Sequence, residues 1–153
     1  MDEKTCCVTG HREIAVEKID YVKQALHHEI LQAIADGYTH FISGFYEGVD
    51  LLFASIVADL MEDNPALTLE AALPYRNRMK TTDKLFRRLL LKCKTICIHS
   101  EKYSPSCYMK CSREMVSLCQ RVIAVYDGRD KGNTVFAMRE AAMLERDIRV
   151  IEI

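Results

Sequence analysis

Three short segments of the chain combine glycine, hydroxyl and basic side chains in a way suited to holding an anion. Gly10-His11-Arg12 follows directly on the run Cys6–Thr9, and a guanidinium delivered there can make a bidentate pair with a phosphate. His11 beside it can donate to a phosphate or a sugar. Ser43-Gly44-x3-Gly48 stands between a β-type run and an apolar helical run, where glycines let backbone amides approach an anion at a helix N-terminus. Gly132-Asn133-Thr134 opens a later helical run in the same manner and offers a second set of free amides with a hydroxyl. Ordinary turn and cap chemistry accounts equally well for either glycine motif taken alone. An anion is expected on the amides around Gly44–Gly48 with Arg12 on its other side.

Further polar residues collect near these segments. Tyr75 and Arg76 follow the run Leu67–Leu73, with Arg78 and Lys80 completing a basic cluster, and Asp127-Gly128 follows Arg121–Tyr126. Asp50 and Asp127 are the candidate acid–base residues; either would need a raised pKa for that role. Without one, Asp50 favours a helix dipole and Asp127 shapes a turn. The candidate ligand set is therefore Gly10, His11, Arg12, Ser43, Gly44, Gly48, Asp50, Tyr75, Arg76, Asp127, Gly128, Gly132, Asn133 and Thr134. Neither G-x-G-x2-G nor a Walker A loop occurs, so dehydrogenase and NTPase chemistry do not follow.

The elements that must position these residues alternate. Six β-type runs, Lys4–Thr9, Thr39–Ser43, Leu67–Leu73, Lys94–His99, Arg121–Tyr126 and Ile148–Ile153, are separated by helical patterns, which predicts β-α-β units and a largely parallel sheet. Ile19, Val22, Leu26, Ile30 and Ile34 mark one stripe of a long helix that stops at Gly37. A second helix, from about Glu47 to Glu62, is apolar nearly all round and is expected to be the most buried. Others are expected over Thr82–Lys92, Tyr108–Leu118 and Asn133–Glu145, with Ser100–Ser106 as a loop. In such a sheet, ligands bind beyond the carboxyl ends of the strands, the edge where all three glycine motifs fall. The fold class is α/β, a Rossmann-like three-layer sandwich.

Composition narrows the function classes. A length of 153 residues suits one core that folds alone or as a homo-oligomer. A net charge of -1 argues against extended nucleic-acid binding. The longest apolar stretch, Val49–Met61, is interrupted by Asp50 and Asp59 and is too short for a membrane span. Seven cysteines with no C-x2-C pair and no leader-like start read as reduced thiols, so a cytoplasmic chain with no metal site is expected. No cofactor is required by any motif, while a nucleotide-type ligand fits several.

Taken in order, Thr9-Gly10-His11-Arg12, Ser43-Gly44-x3-Gly48-Val49-Asp50, Leu73-Pro74-Tyr75, Met115-Val116, Ile123–Gly128 and Gly132-Asn133-Thr134 resemble the YpsA-like family of the SLOG superfamily. That superfamily also holds the DprA/Smf proteins and the LONELY GUY phosphoribohydrolases. The resemblance spans residues 1–153 as a single SLOG-type domain and implies glycine-rich loops that bind a nucleotide-related ligand. This chain departs from the family pattern at Cys111-Ser112, Ser117, Cys119-Gln120 and Asn133. Ala137 stands where the phosphoribohydrolases carry a glutamate, and Glu140 lies almost one turn further on. The reading is a binding module for ADP-ribose, NAD or a nucleoside phosphate, serving as a sensor. The alternatives are a nucleotide N-glycosidase or related hydrolase, and an interaction adaptor that has lost the pocket.

Overall fold

Each apolar run feeds a helix that carries the chain back to the same edge, so successive strands pair in parallel. The computed structural model describes residues 3–153. Its sheet contains β1 (Lys4–Thr9), β2 (Tyr38–Ser43), β3 (Thr68–Leu73), β4 (Thr95–Ile98), β5 (Arg121–Tyr126) and β6 (Asp147–Glu152). All ladders are parallel, in the order β4-β3-β2-β1-β5-β6. The helices are α1 (Ile19–Ala35), α2 (Val49–Asp63), α3 (Lys84–Leu90), α4 (Cys107–Leu118) and α5 (Asn133–Met143).

Strand ends fall within one residue of the sequence expectation. The third helix is shorter than Thr82–Lys92 because the Asp83 side chain accepts the Phe86 N–H at 3.0 Å and so caps the helix at its start. Two 3-10 turns, Val16–Lys18 and Arg76–Lys80, were not legible from spacing.

Strand alternation sorts the core into two halves. Cys6, Val8, Phe41, Leu69 and Ile123 face α1, α2 and α3, meeting Val22, Leu26, Phe53, Val57 and Phe86. Cys7, Ile42, Ala72 and Val122 face the other way, onto Met115, Val116, Ala137 and Ala141 of α4 and α5. Helices thus cover both faces, giving a three-layer Rossmann-like sandwich. As its composition predicts, α2 is heavily buried, through Val49, Leu51, Phe53, Ala54, Val57 and Ala58. Among the described residues no helix is long and apolar enough to cross a membrane.

The strand order reverses direction between β1 and β5, which opens a crevice at their carboxyl ends. The loop after β1 lies hard against the start of α2. A Cβ on Gly10 would come within 2.5 Å of Val49 Cβ, and one on Gly48 within 2.6 Å of the His11 carbonyl oxygen and closer still to that of Arg12. Gly48 also has φ +80, whereas Gly128, at φ +90, has nothing within 4 Å. Gly48→Ala is therefore expected to cost about 2–4 kcal/mol of unfolding free energy in urea titration, combining overpacking with left-handed strain. Gly128→Ala, strained but uncrowded, is expected to cost only about 1–2 kcal/mol; equal losses would show that close packing at Gly48 is unimportant.

Candidate functional site

Residues from three loops converge at the switch point. A cavity of about 400 Å³ opens there, lined after β1 by Gly10, His11, Arg12 and Glu13, after β2 by Tyr46, and after β5 by Arg129, Gly132, Asn133 and Thr134. Gly132 has φ +122 and only Arg129 Cδ, at 3.9 Å, near the place of a Cβ, so its backbone is open to the cavity. No side chain caps the first turn of α5, and no acidic residue stands in it. Its leading amides therefore present partial positive charge to the cavity.

Arg12 reaches in from the opposite wall. Its Nη2 donates to Tyr46 Oη at 2.8 Å, and its guanidinium lies 4.3 Å from the centre of the Tyr46 ring. The residue is exposed, carries no carboxylate partner among the described residues, and can swing to an incoming anion. Tyr46 stacks on Tyr108 at 4.4 Å, Tyr108 meets Tyr75 edge-on at 6.1 Å, and Tyr75 meets Tyr103 edge-on at 5.5 Å. A tyrosine strip thus leads away from the cavity along the sheet edge. Tyr46 is aimed by Phe45, a non-glycine residue at φ 58 whose fully buried ring packs edge-on against Phe86 at 5.3 Å. Burial of that ring holds the strained backbone in place.

His11 ties the two loops together. Its buried Nε2 lies 3.2 Å from both the Asp127 backbone N–H and Asp127 Oδ1. Burial holds its pKa below the ordinary 6.5, an effect that Arg129 reinforces and Asp127 only partly offsets. Asp127 is clamped by Arg129 through contacts of 2.6 to 3.1 Å. Those bonds hold its carboxyl far below the usual carboxylate range, so it is an ionised positioning group and not a proton donor. Asp50 is the opposite case: burial, against a smaller pull from Arg78, pushes its pKa up to about 8.

The second glycine loop is engaged internally, which differs from the expected anion site. Ser43 Oγ accepts the Phe45 N–H at 3.1 Å and donates to the Asp50 carbonyl at 2.8 Å. The Tyr46 N–H points at Asp50 Oδ2 at 3.5 Å, and the Val49 N–H donates to the His11 carbonyl at 3.3 Å. Gly44 leaves room for Asp50 Oδ2, 2.8 Å from where its Cβ would be. An internal carboxyl occupies the place where an anion was expected. Arg76 is paired with Glu101 at 2.6 and 2.9 Å, outside the cavity. Tyr75 belongs to the tyrosine strip, and Gly128 to an open turn. Spacing gave no role to Tyr46, Arg129 or Glu13, since none stands in a glycine motif. Among the described residues no group of three or more His, Cys, Asp or Glu is placed to hold a metal ion.

Residues 6–152 match the family model of YpsA, described as the YspA SLOG family. The chain belongs to the YpsA family of SLOG proteins. It is 23% identical over 151 residues to a UPF0398 protein of Bacillus pumilus (strain SAFR-032), covering 90% of this chain and 81% of that protein. Among solved structures it resembles DNA processing protein A of Helicobacter pylori, described for its single-stranded DNA binding mode. The TM-score there is 0.67 at 15% identity, covering 96% of this chain and 64% of that one. It also resembles TM1055, with TM-score 0.60 and 14% identity, covering 95% of this chain and 72% of that one.

The positions expected from the sequence to depart from the family pattern fall in two places. Ser112 and Asn133 meet, with Ser112 Oγ donating to Asn133 Oδ1 at 3.0 Å. Gln120 lies at the other end of the sheet, its Oε1 accepting the Thr5 N–H at 2.7 Å. Ala137 is buried, and Glu140 faces Arg113 at 3.5 Å, so no free glutamate stands on α5 where the phosphoribohydrolases carry theirs.

The two buried titrating groups give opposite pH slopes. Asp50 ionises near 3.8 when unfolded but near 8 in the fold, so between those values the folded state binds more protons and stability falls as pH rises. Asp50→Asn is expected to flatten that fall by up to about 1.4 kcal/mol per pH unit. Urea unfolding from pH 4 to 8 measures it, and an unchanged profile would mean that Asp50 is ionised at neutral pH. His11, with its pKa depressed below 6.5, stabilises the fold fully above that pH and contributes a loss as pH falls below it.

Proposed function

We propose that this protein is a binding module for a nucleotide-derived ligand, serving as a sensor in the cytoplasm. The observation that carries the reading is the cavity at the β1/β5 switch point, with the uncapped start of α5 on one wall and Arg12 on the other. A phosphate there takes hydrogen bonds from the amides of the α5 first turn and a charged contact from Arg12. About 400 Å³ suits a nucleoside phosphate or part of ADP-ribose or NAD. Membership of the SLOG superfamily supports the same class of ligand.

Thermal-shift measurement against ADP, ADP-ribose, NAD and nucleoside monophosphates tests the reading. A ligand at a hundred times its Kd adds about 2.7 kcal/mol of apparent stability. Arg12→Ala is expected to weaken that ligand's binding by about 1.5–3 kcal/mol with little change in stability. No shift from any of these at millimolar concentration, or calorimetric affinity unchanged by the substitution, removes the reading.

The tyrosine strip favours a second reading, a single-stranded nucleic acid laid along the sheet edge. Stacked aromatics beside a guanidinium form a sequence-tolerant base platform, and the Helicobacter pylori relative is described for single-stranded DNA binding. Fluorescence anisotropy with labelled oligo(dT) separates the two. Salt-sensitive binding that Tyr103→Ala weakens supports the nucleic acid, and no binding at low salt rejects it.

A further inference from the structure

Beneath the switch-point cavity lies a second, smaller chamber of about 20 Å³, which shares Gly10, Tyr46 and Asn133 with it as walls. Thr9, Tyr108, Cys111, Ser112 and the carboxyl of Asp50 complete its polar lining. Asp50 is 6% exposed. Among the described residues its carboxyl has a single hydrogen bond, the long one at 3.5 Å from the Tyr46 N–H to Oδ2. A buried carboxyl with capacity to spare is thus turned into a polar hole directly under the anion pocket. We propose that this chamber is a subsite for one hydroxyl group of the ligand, a ribose hydroxyl, with the Asp50 carboxyl as its partner.

The inference rests on the nucleotide reading above and deepens it. Size sets the first limit, because a hole needs about 10–15 Å³ to take one water-sized group, and this one has room for little more. A phosphate or a ring is excluded, and a hydroxyl is not. Chemistry sets the second. A hydroxyl both donates and accepts, and so does an un-ionised carboxyl, the form that burial favours for Asp50 up to about pH 8. The un-ionised form also puts no negative charge under a bound phosphate, whereas a carboxylate there would repel it. A ligand lacking the hydroxyl leaves Asp50 with only its long bond from the Tyr46 N–H, and polar sites discriminate most strongly where a buried group is left under-bonded. Asn133 lines both the chamber and the cavity, and the Ser112 hydroxyl, on the chamber side, donates to its Oδ1 at 3.0 Å and fixes its side chain between the two.

Titration calorimetry with pyrophosphate, ADP, 2′-deoxy-ADP and 3′-deoxy-ADP tests the proposal on the unaltered protein. ADP is expected to bind about tenfold more tightly than one of the two deoxy forms, the factor for one hydrogen bond to a buried polar group. Asp50→Leu is expected to abolish that preference, and Asp50→Asn, which keeps a donor and an acceptor, to retain it. If pyrophosphate binds but ADP and both deoxy forms agree within about twofold, the hydroxyl subsite is wrong and the anion pocket stands. If neither pyrophosphate nor any nucleotide binds, the anion pocket itself is refuted and the subsite with it. The wild-type comparison decides even where Asp50→Leu fails to fold.

Discussion

The site depends on one steric constraint, the contact of the loop after β1 with the first residues of α2. With no Cβ on Gly10 or Gly48, the His11 and Arg12 carbonyls sit against the helix start, and the Val49 N–H closes the contact on His11. That fixes the direction in which the next two side chains leave. His11 goes inward to the Asp127 amide and locks the β1 and β5 loops together, while Arg12 goes outward across Tyr46. A side chain at either glycine would push the loop away from the helix, and the cavity wall that Arg12 forms would move with it.

Two aspartates within this small region are held in opposite protonation states by their surroundings. Asp127 is partly exposed and gripped by Arg129, so its charge is retained and its role is to fix the loop after β5. Asp50 is buried with one weak donor, and the Arg78 guanidinium, which is committed to the Phe45 carbonyl at 2.8 Å, only partly offsets the cost of ionising it. Perturbed pKa values cluster at functional sites, although structural ion-pair networks shift them as well. Here the separation leaves a fixed anion behind the cavity residues His11 and Arg129, and a neutral polar group in the chamber beneath the cavity.

Much of this was legible in the sequence. Strands buried on both faces read as near-continuous apolar runs, as Val122–Val125 does, and the α1 stripe has the helical period, so element type and order followed directly. The edge carrying the site was legible too, because glycines and charges gathered after the strands. What spacing could not separate was the two uses of glycine. A residue that lets a helix start approach an anion and one that lets it approach another loop leave the same trace, and Gly48 belongs to the second kind. Arg76 ranked below Arg12 as part of a basic cluster, but spacing could not show that Glu101 pairs with it. The chamber beneath the cavity was invisible for a similar reason, since its walls come from β1, the β2 loop, α4 and α5 together.

The same distinction explains why one of two similar helix starts is the better anion site. Both α2 and α5 follow a strand, begin after a glycine at positive φ and lack a side-chain cap. Their backbone dipoles are equivalent in kind. They differ in what already stands at the first turn: α2 carries Asp50, whose carboxyl fills the space over Gly44, whereas α5 has no acidic residue there and open space over Gly132. An internal carboxyl occupies the first start sterically even when it is un-ionised, and repels an anion when it is ionised. Only the α5 start is therefore free to receive one, and Arg12 stands across the cavity from it.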